Sequence, residues 1–213
     1  MSHQPIAPIS FSLVPFAAPS QALAGQDGRM HPAKLSIGGH IGLEAGQLEL
    51  TYILKGDLEQ LQIAPTVATP QRRDLLWQTT CLELFLARQG AQDYWEFNLS
   101  PAGHWNVYHL EGYRQGLQPE LAYQELPFQL TRSEHELLLT LRCPLPPALL
   151  HPNSLPADGP GALDVGITAV VEHRDCSNSD CSNSDRSIGY WALHHPGTEA
   201  DFHHRGGFCL TLP

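Results

Sequence analysis

Residues 74–113 read DLLWQTTCLELFLARQGAQDYWEFNLSPAGHWNVYHLEGY and hold three of the four tryptophans and three of the six tyrosines. Leu82, Leu84 and Leu86 fall on every second position, the period of a strand with one face against a core. Trp95, Phe97 and Leu99 repeat that alternation. Between the two runs, Arg88 to Asp93 is a short polar connection containing Gly90, which suits a hairpin. Ser100-Pro101-Ala102-Gly103 then carries Pro in second place and Gly in fourth, the preferences of a β-turn. The stretch therefore predicts three consecutive antiparallel strands.

Parity carries the reading further. If the leucines and Trp95, Phe97 and Leu99 face the core, then Cys81, Glu83, Phe85, Tyr94, Glu96, Asn98 and Ser100 face away from it. Pairing Ala87 with Tyr94 places Phe85 opposite Glu96 and Glu83 opposite Asn98. Two carboxyls, an amide and aromatic rings then share the outer face. That is either the solvated side of an ordinary sheet or a polar recognition surface.

Outward from this stretch, the chain continues to alternate. Residues 9–14 read as an edge strand between Pro8 and Pro15. Gly38-Gly39 and Gly42 introduce a strand over 48–54, and 58–63 adds another. Residues 123–130 and 136–143 form a hairpin, and 145–150 a single helical turn after Pro144. The Pro- and Gly-rich segment 151–161 reads as a long loop. Strands follow over 163–171, 188–194 and 208–212. The tandem CSNSD-CSNSD of residues 176–185 reads as a duplicated hairpin tip rather than a metal loop, because added length at a tip costs little entropy. About ten strands with little helix indicate an all-β protein, an antiparallel β-sandwich or a related barrel, in a single domain over residues 1–213.

Twelve basic against twenty-two acidic residues give a formal charge of −10. Only two residues, Lys34 and Lys55, are lysines, so phosphate contacts are poorly supplied and nucleic acid is excluded as a partner. No segment is long and apolar enough to cross a bilayer as a helix. The N-terminal residues carry no basic region before an apolar core, and the five cysteines show no CxxC. Together these predict a cytoplasmic protein with reduced thiols.

Candidate chemistry gathers at three places. Trp77 and Trp191, the latter on the parity opposite Ile188, Tyr190 and Ala192, either stack on a flat ligand such as a sugar ring or fill the core. Glu83, Glu96 and Asn98 would supply hydrogen bonds to sugar hydroxyls; the two glutamates also have the residue types of a glycoside-hydrolysing pair. His194-His195 and His203-His204, with Asp201 between them, offer imidazoles and a carboxylate to zinc or another divalent metal. Adjacent histidines on a strand point to opposite faces, so each pair supplies at most one ligand easily. There is no GxSxG, P-loop, GxGxxG or HExxH motif.

The runs WQTTCLELFL, YWEFNLSPAGHWNVYHLEGYR, LDVGITAVVE, YWALHHP and FHHRGGF resemble bacterial DOMON-like proteins, a group related to the family 9 carbohydrate-binding modules. The resemblance spans most of the chain from about Leu48 onward and implies an immunoglobulin-like β-sandwich. It implies that Trp77 and Trp191 sandwich a terminal sugar while Glu83, six residues after Trp77, binds its hydroxyls. Asn98 and Tyr113 are weaker correspondences. Other DOMON relatives bind haem through Met and His. Here the methionines are Met1 and Met30, and His104, His194 and His195 are the imidazoles on offer. The expected function is thus a non-catalytic binder of a sugar or similar small polar ligand, with haem-linked electron transfer as the alternative.

Overall fold

A computed structural model of the chain describes residues 7–17, 35–150, 161–174 and 186–213. The duplicated CSNSD segment, Met1 and Met30 lie outside them. The strands are β1 (Ile9–Ser12), β2 (Val14–Pro15), β3 (Ser36–Glu44), β4 (Gln47–Lys55), β5 (Cys81–Arg88), β6 (Tyr94–Leu99), β7 (Trp105–Leu110), β8 (Gln118–Pro119), β9 (Phe128–Arg132), β10 (Glu136–Pro144), β11 (Leu163–Arg174), β12 (Arg186–Ala192) and β13 (Leu210–Leu212). Among the described residues the α-helical turn is α1, Pro147–Leu150. The protein is an all-β sandwich of two antiparallel sheets. One is ordered β1-β3-β4-β10-β9, the other β2-β12-β11-β5-β6-β7-β8, with β13 also pairing β11.

Alternation explains how the layers meet. Leu48, Leu50, Tyr52 and Leu54 of β4 and Leu137, Leu139 and Leu141 of β10 point inward. Leu82, Leu84 and Leu86 of β5 and Trp95, Phe97 and Leu99 of β6 meet them from the other sheet in one cluster. Each fully buried Leu contributes on the order of 2 kcal/mol. Tyr52 crosses the interface and donates its Oη proton toward the carbonyls of Glu83 and Thr168. That ties the first sheet to the rows of β5 and β11 that carry the site described below.

Four local expectations change. The segment 9–14 is two short strands in different sheets, because the chain crosses between layers at buried Leu13. The glycine-rich segment before β4 is itself β3. A Cβ on Gly39 (φ +157°) would stand 1.8 Å from the Thr51 carbonyl oxygen, so the close approach needs glycine. Residues 58–63 hold only a 3-10 turn, Leu58–Gln60, and a single bridge from Leu61 to His173. β9 begins at Phe128 rather than 123, since Tyr123 turns inward onto Phe97 and donates to the Pro144 carbonyl.

Candidate functional site

The register of the central hairpin is the expected one: Glu83 pairs with Asn98 and Phe85 with Glu96. Extending across the sheet, one outer row reads Thr168, Glu83, Asn98, Asn106, and the next Gly166, Phe85, Glu96, Tyr108. The face is not solvated. Glu83 is 2% exposed, Glu96 3% and Asn98 0%.

Two segments cover it. The 3-10 turn Leu76–Gln78 brings Trp77 to Tyr108 with ring centroids 6.0 Å apart. It starts from Leu75, held at φ 60°, a backbone region that costs a non-glycine residue energy. The second cover is the connection from β12 to β13. Phe208 lies against Gly166 and 5.5 Å from the Phe85 ring, and His203 stands 5.5 Å from that ring. A Cβ at position 166 would come within 2.8 Å of Phe208, so the glycine makes room for this seat. Phe85, Ala87, Tyr94, Tyr108, Leu110 and Phe208 form a second, smaller core outside the sandwich, with Trp77 and Phe202 packed against it.

Inside this niche the polar groups are half satisfied. Glu83 Oε2 accepts from Thr168 Oγ1 at 3.1 Å, and Glu96 Oε1 accepts from Asn98 Nδ2 at 2.7 Å. Glu83 Oε1 and Glu96 Oε2 are buried with no hydrogen-bond partner. Leaving a buried acceptor bare costs about 1–3 kcal/mol, more if it is charged. Burial, then the neighbouring Glu96, holds the Glu83 carboxyl well above the usual carboxylate range. Burial pushes Glu96 up to about 7, against the opposing hydrogen bond of Asn98 and charge of Arg114. Such a pair holds a proton at neutral pH and so both donates and accepts.

The cover is latched at its rim. Asp201 accepts from Tyr113 Oη at 2.6 Å, Arg114 Nη2 at 2.9 Å and its own neighbour His203 N at 3.2 Å. Tyr94 Oη accepts from Arg114 N at 3.2 Å and lies 2.8 Å from His203 Nδ1. Burial lowers the His203 pKa to about 4, with Arg114 adding to the effect, so the imidazole is neutral. Its Nε2 is 3.9 Å from Glu96 Oε2, beyond hydrogen-bond range.

The candidate residues are therefore placed unequally. Trp77, Glu83, Glu96 and Asn98 come together, and Tyr113 reaches them through the latch. Trp191 does not: it pairs with Ala169 and, partly buried, packs against the core between the sheets. The parity expected for β12 is reversed, and Tyr190 is the ring on the outer side, 5.9 Å from Phe202. The histidines also disperse. His195 Nε2 donates to the Val14 carbonyl at 3.0 Å, and His204 Nδ1 accepts from Gly206 N at 3.0 Å. His194 is exposed. Among the described residues no three His, Cys, Asp or Glu side chains converge as metal ligands. His104 accepts from Gln71 N at 3.2 Å at the start of β7, and β11, β5 and β6 separate that strand from β12. It therefore forms no facing pair with His194 or His195 for haem.

Sequence reasoning missed Phe202, His203 as a cover residue, Phe208 and Tyr108. Tyr108 shares the parity of Asn106, so its position follows from the hairpin register. Phe202 and His203 sit in the irregular segment before β13, where no periodicity reports direction, and Phe208, expected to open a strand over 208–212, caps the 3-10 turn Arg205–Gly207 outside β13.

No protein-family model matches this chain, and no curated protein matches it. Among solved structures, the crystal structure of a proposed carbohydrate-binding protein from Bacteroides uniformis aligns with a TM-score of 0.56. The alignment covers 84% of this chain and 78% of that one at 14% identity, a likeness of fold.

Proposed function

We propose that this chain is a non-catalytic binder of a small polar ligand of the sugar class, held on the outer face of β5 and β6 beneath the cover of residues 197–208. The two unpartnered carboxyl oxygens, Glu83 Oε1 and Glu96 Oε2, carry the reading, because they are buried acceptors flanked by aromatic rings. Rings for the apolar face of a sugar, with polar groups to fix its hydroxyls, are the composition that sugar sites require. The resemblance to DOMON-like proteins and family 9 carbohydrate-binding modules supports it, as does the fold shared with the Bacteroides protein. In this reading Trp77 forms one wall, Phe202 with Tyr190 takes the role expected of Trp191, and Glu83, Glu96 and Asn98 bind hydroxyls. Tyr113 acts through Asp201, holding the cover shut.

The niche is closed as it stands, so a ligand enters only when the cover lifts. Affinity is then reduced by the fraction of time spent open. A thermal-shift panel of mono- and disaccharides tests the proposal, since a ligand of the folded state raises the melting temperature. A hit that Trp77→Ala and Glu83→Gln both weaken, in variants that still melt cooperatively, is the expected result. A sugar hit untouched by either substitution would place binding elsewhere and overturn it.

A further inference from the structure

The donor count in the niche narrows the ligand class. Both unpartnered atoms are carboxyl oxygens, and they sit on diagonal neighbours of the β5–β6 pair. A single sugar hydroxyl has one proton and serves one of them, so a neutral sugar must bring two hydroxyls to the pair. A primary ammonium has three N–H donors and a charge, and serves both. Apart from the protons that the two carboxyls themselves hold and give up on ionising, the chain's own donors nearby are occupied or out of reach. Arg114 Nη2 is on Asp201, Asn98 Nδ2 is on Glu96 Oε1, and Thr168 Oγ1 is on Glu83 Oε2. The surrounding rings, Phe85 and Tyr108 on the sheet and Trp77 above, suit a cation, whose charge is drawn to aromatic faces. A metal ion would need more ligands than this pair offers, and no third His, Cys, Asp or Glu joins it among the described residues.

From this geometry, and resting on the proposed sugar-class function, we infer that the ligand carries a primary amine seated between Glu83 and Glu96: an amino sugar rather than a neutral one. The titratable groups around the pair are few, and of them only Arg114 is charged; Tyr52 reaches Glu83 from the core side. Cys81 on β5 lies beside Glu83; Arg114, His203 and the Tyr94 and Tyr108 hydroxyls surround Glu96. Both carboxyls are raised by burial and hold protons at pH 6, so seating an ammonium between two carboxylates releases the protons they hold to solvent.

Calorimetric titration of the full chain with glucosamine and galactosamine, against glucose, galactose and N-acetylglucosamine, reads this directly. At pH 6 the free amine is charged and the carboxyl pair is not fully ionised. An amino sugar should bind at least about tenfold more tightly than its neutral counterpart, with a heat that changes with the ionisation enthalpy of the buffer. Glu96→Gln should abolish both the preference and the buffer dependence; Glu83→Gln should do the same where it folds. Equal affinity for neutral and amino sugars would overturn the amine assignment and leave the sugar-binding function standing. Binding of neither class would overturn both, and a preference for amines that survives Glu96→Gln would move the amine elsewhere and overturn the assignment.

Discussion

Tyr113 Oη donates to Asp201 Oδ2 at 2.6 Å although 88 residues separate the two in sequence. The contact joins the turn after β7 to the connection before β13, and with Arg114 it closes the rim over Glu83 and Glu96. It ties these two segments together at the rim of the covered face.

Breaking this latch should loosen the cover more than the protein. Asp201→Asn removes a charge whose partner guanidinium is about half exposed, so the loss in stability should be about 1 kcal/mol or less, a fall of roughly 2–4 °C in Tm. Amide exchange over residues 197–208 should accelerate while β5 and β6 stay protected. Uniform acceleration across both regions would show that the segment unfolds only with the whole sandwich.

Glu96 and His203 should give stability profiles of opposite slope. The folded-state pKa of Glu96 is raised to about 7, so the folded protein binds more protons than the unfolded one between about 4.5 and 7, and this group destabilises as pH rises. His203 is lowered to about 4, so the unfolded chain binds more protons between about 4 and 6.5, and this group destabilises as pH falls. Glu96→Gln should therefore gain on the wild type with rising pH, by on the order of 2–3 kcal/mol near pH 7.5. His203→Gln should gain as pH falls below 6.5. Urea titrations from pH 4 to 8 check both signs, and parallel curves for either variant would refute its shift.

The two candidate tryptophans should separate. Trp191→Ala strips a partly buried ring from the side of the inter-sheet core and should cost about 2–3 kcal/mol in urea denaturation. Trp77→Ala, on the outer cover, should cost about 1 kcal/mol and act mainly on ligand affinity. A larger cost at Trp77 than at Trp191 would reverse their roles.

Gly166→Ala tests the seat of Phe208. The added methyl meets the ring within 2.8 Å, and neither the sheet backbone nor a ring edge yields easily. Overpacking of this kind costs about 1–3 kcal/mol. The expected result is a lower Tm together with binding of a hydrophobic dye to the exposed second core. A variant with unchanged Tm and no dye binding would mean that Phe208 shifts freely.

Much of this was legible in the order of residues. The alternation of Leu82, Leu84 and Leu86 with Trp95, Phe97 and Leu99, and the turn at Ser100–Gly103, determined the hairpin register that sets Glu83 against Asn98. Those are local quantities, because a period of two residues fixes which side of a strand each side chain takes. The direction of Trp191 could not be had this way. Its neighbours Ile188, Tyr190 and Ala192 read as a core stripe, yet Ile188 is 39% and Tyr190 40% exposed, because β12 lies toward the edge of its sheet.

By itself, then, the sequence determined an all-β sandwich and a polar row flanked by rings on one outer face. Only the tertiary structure decided that this face is roofed over, that Phe202, His203 and Phe208 make the roof, and that two carboxyl oxygens beneath it have no partner. The physical reason is range. Strand parity is set between neighbours, whereas the roof depends on an irregular segment returning across the sheet to contacts such as Tyr113–Asp201, which no periodicity encodes.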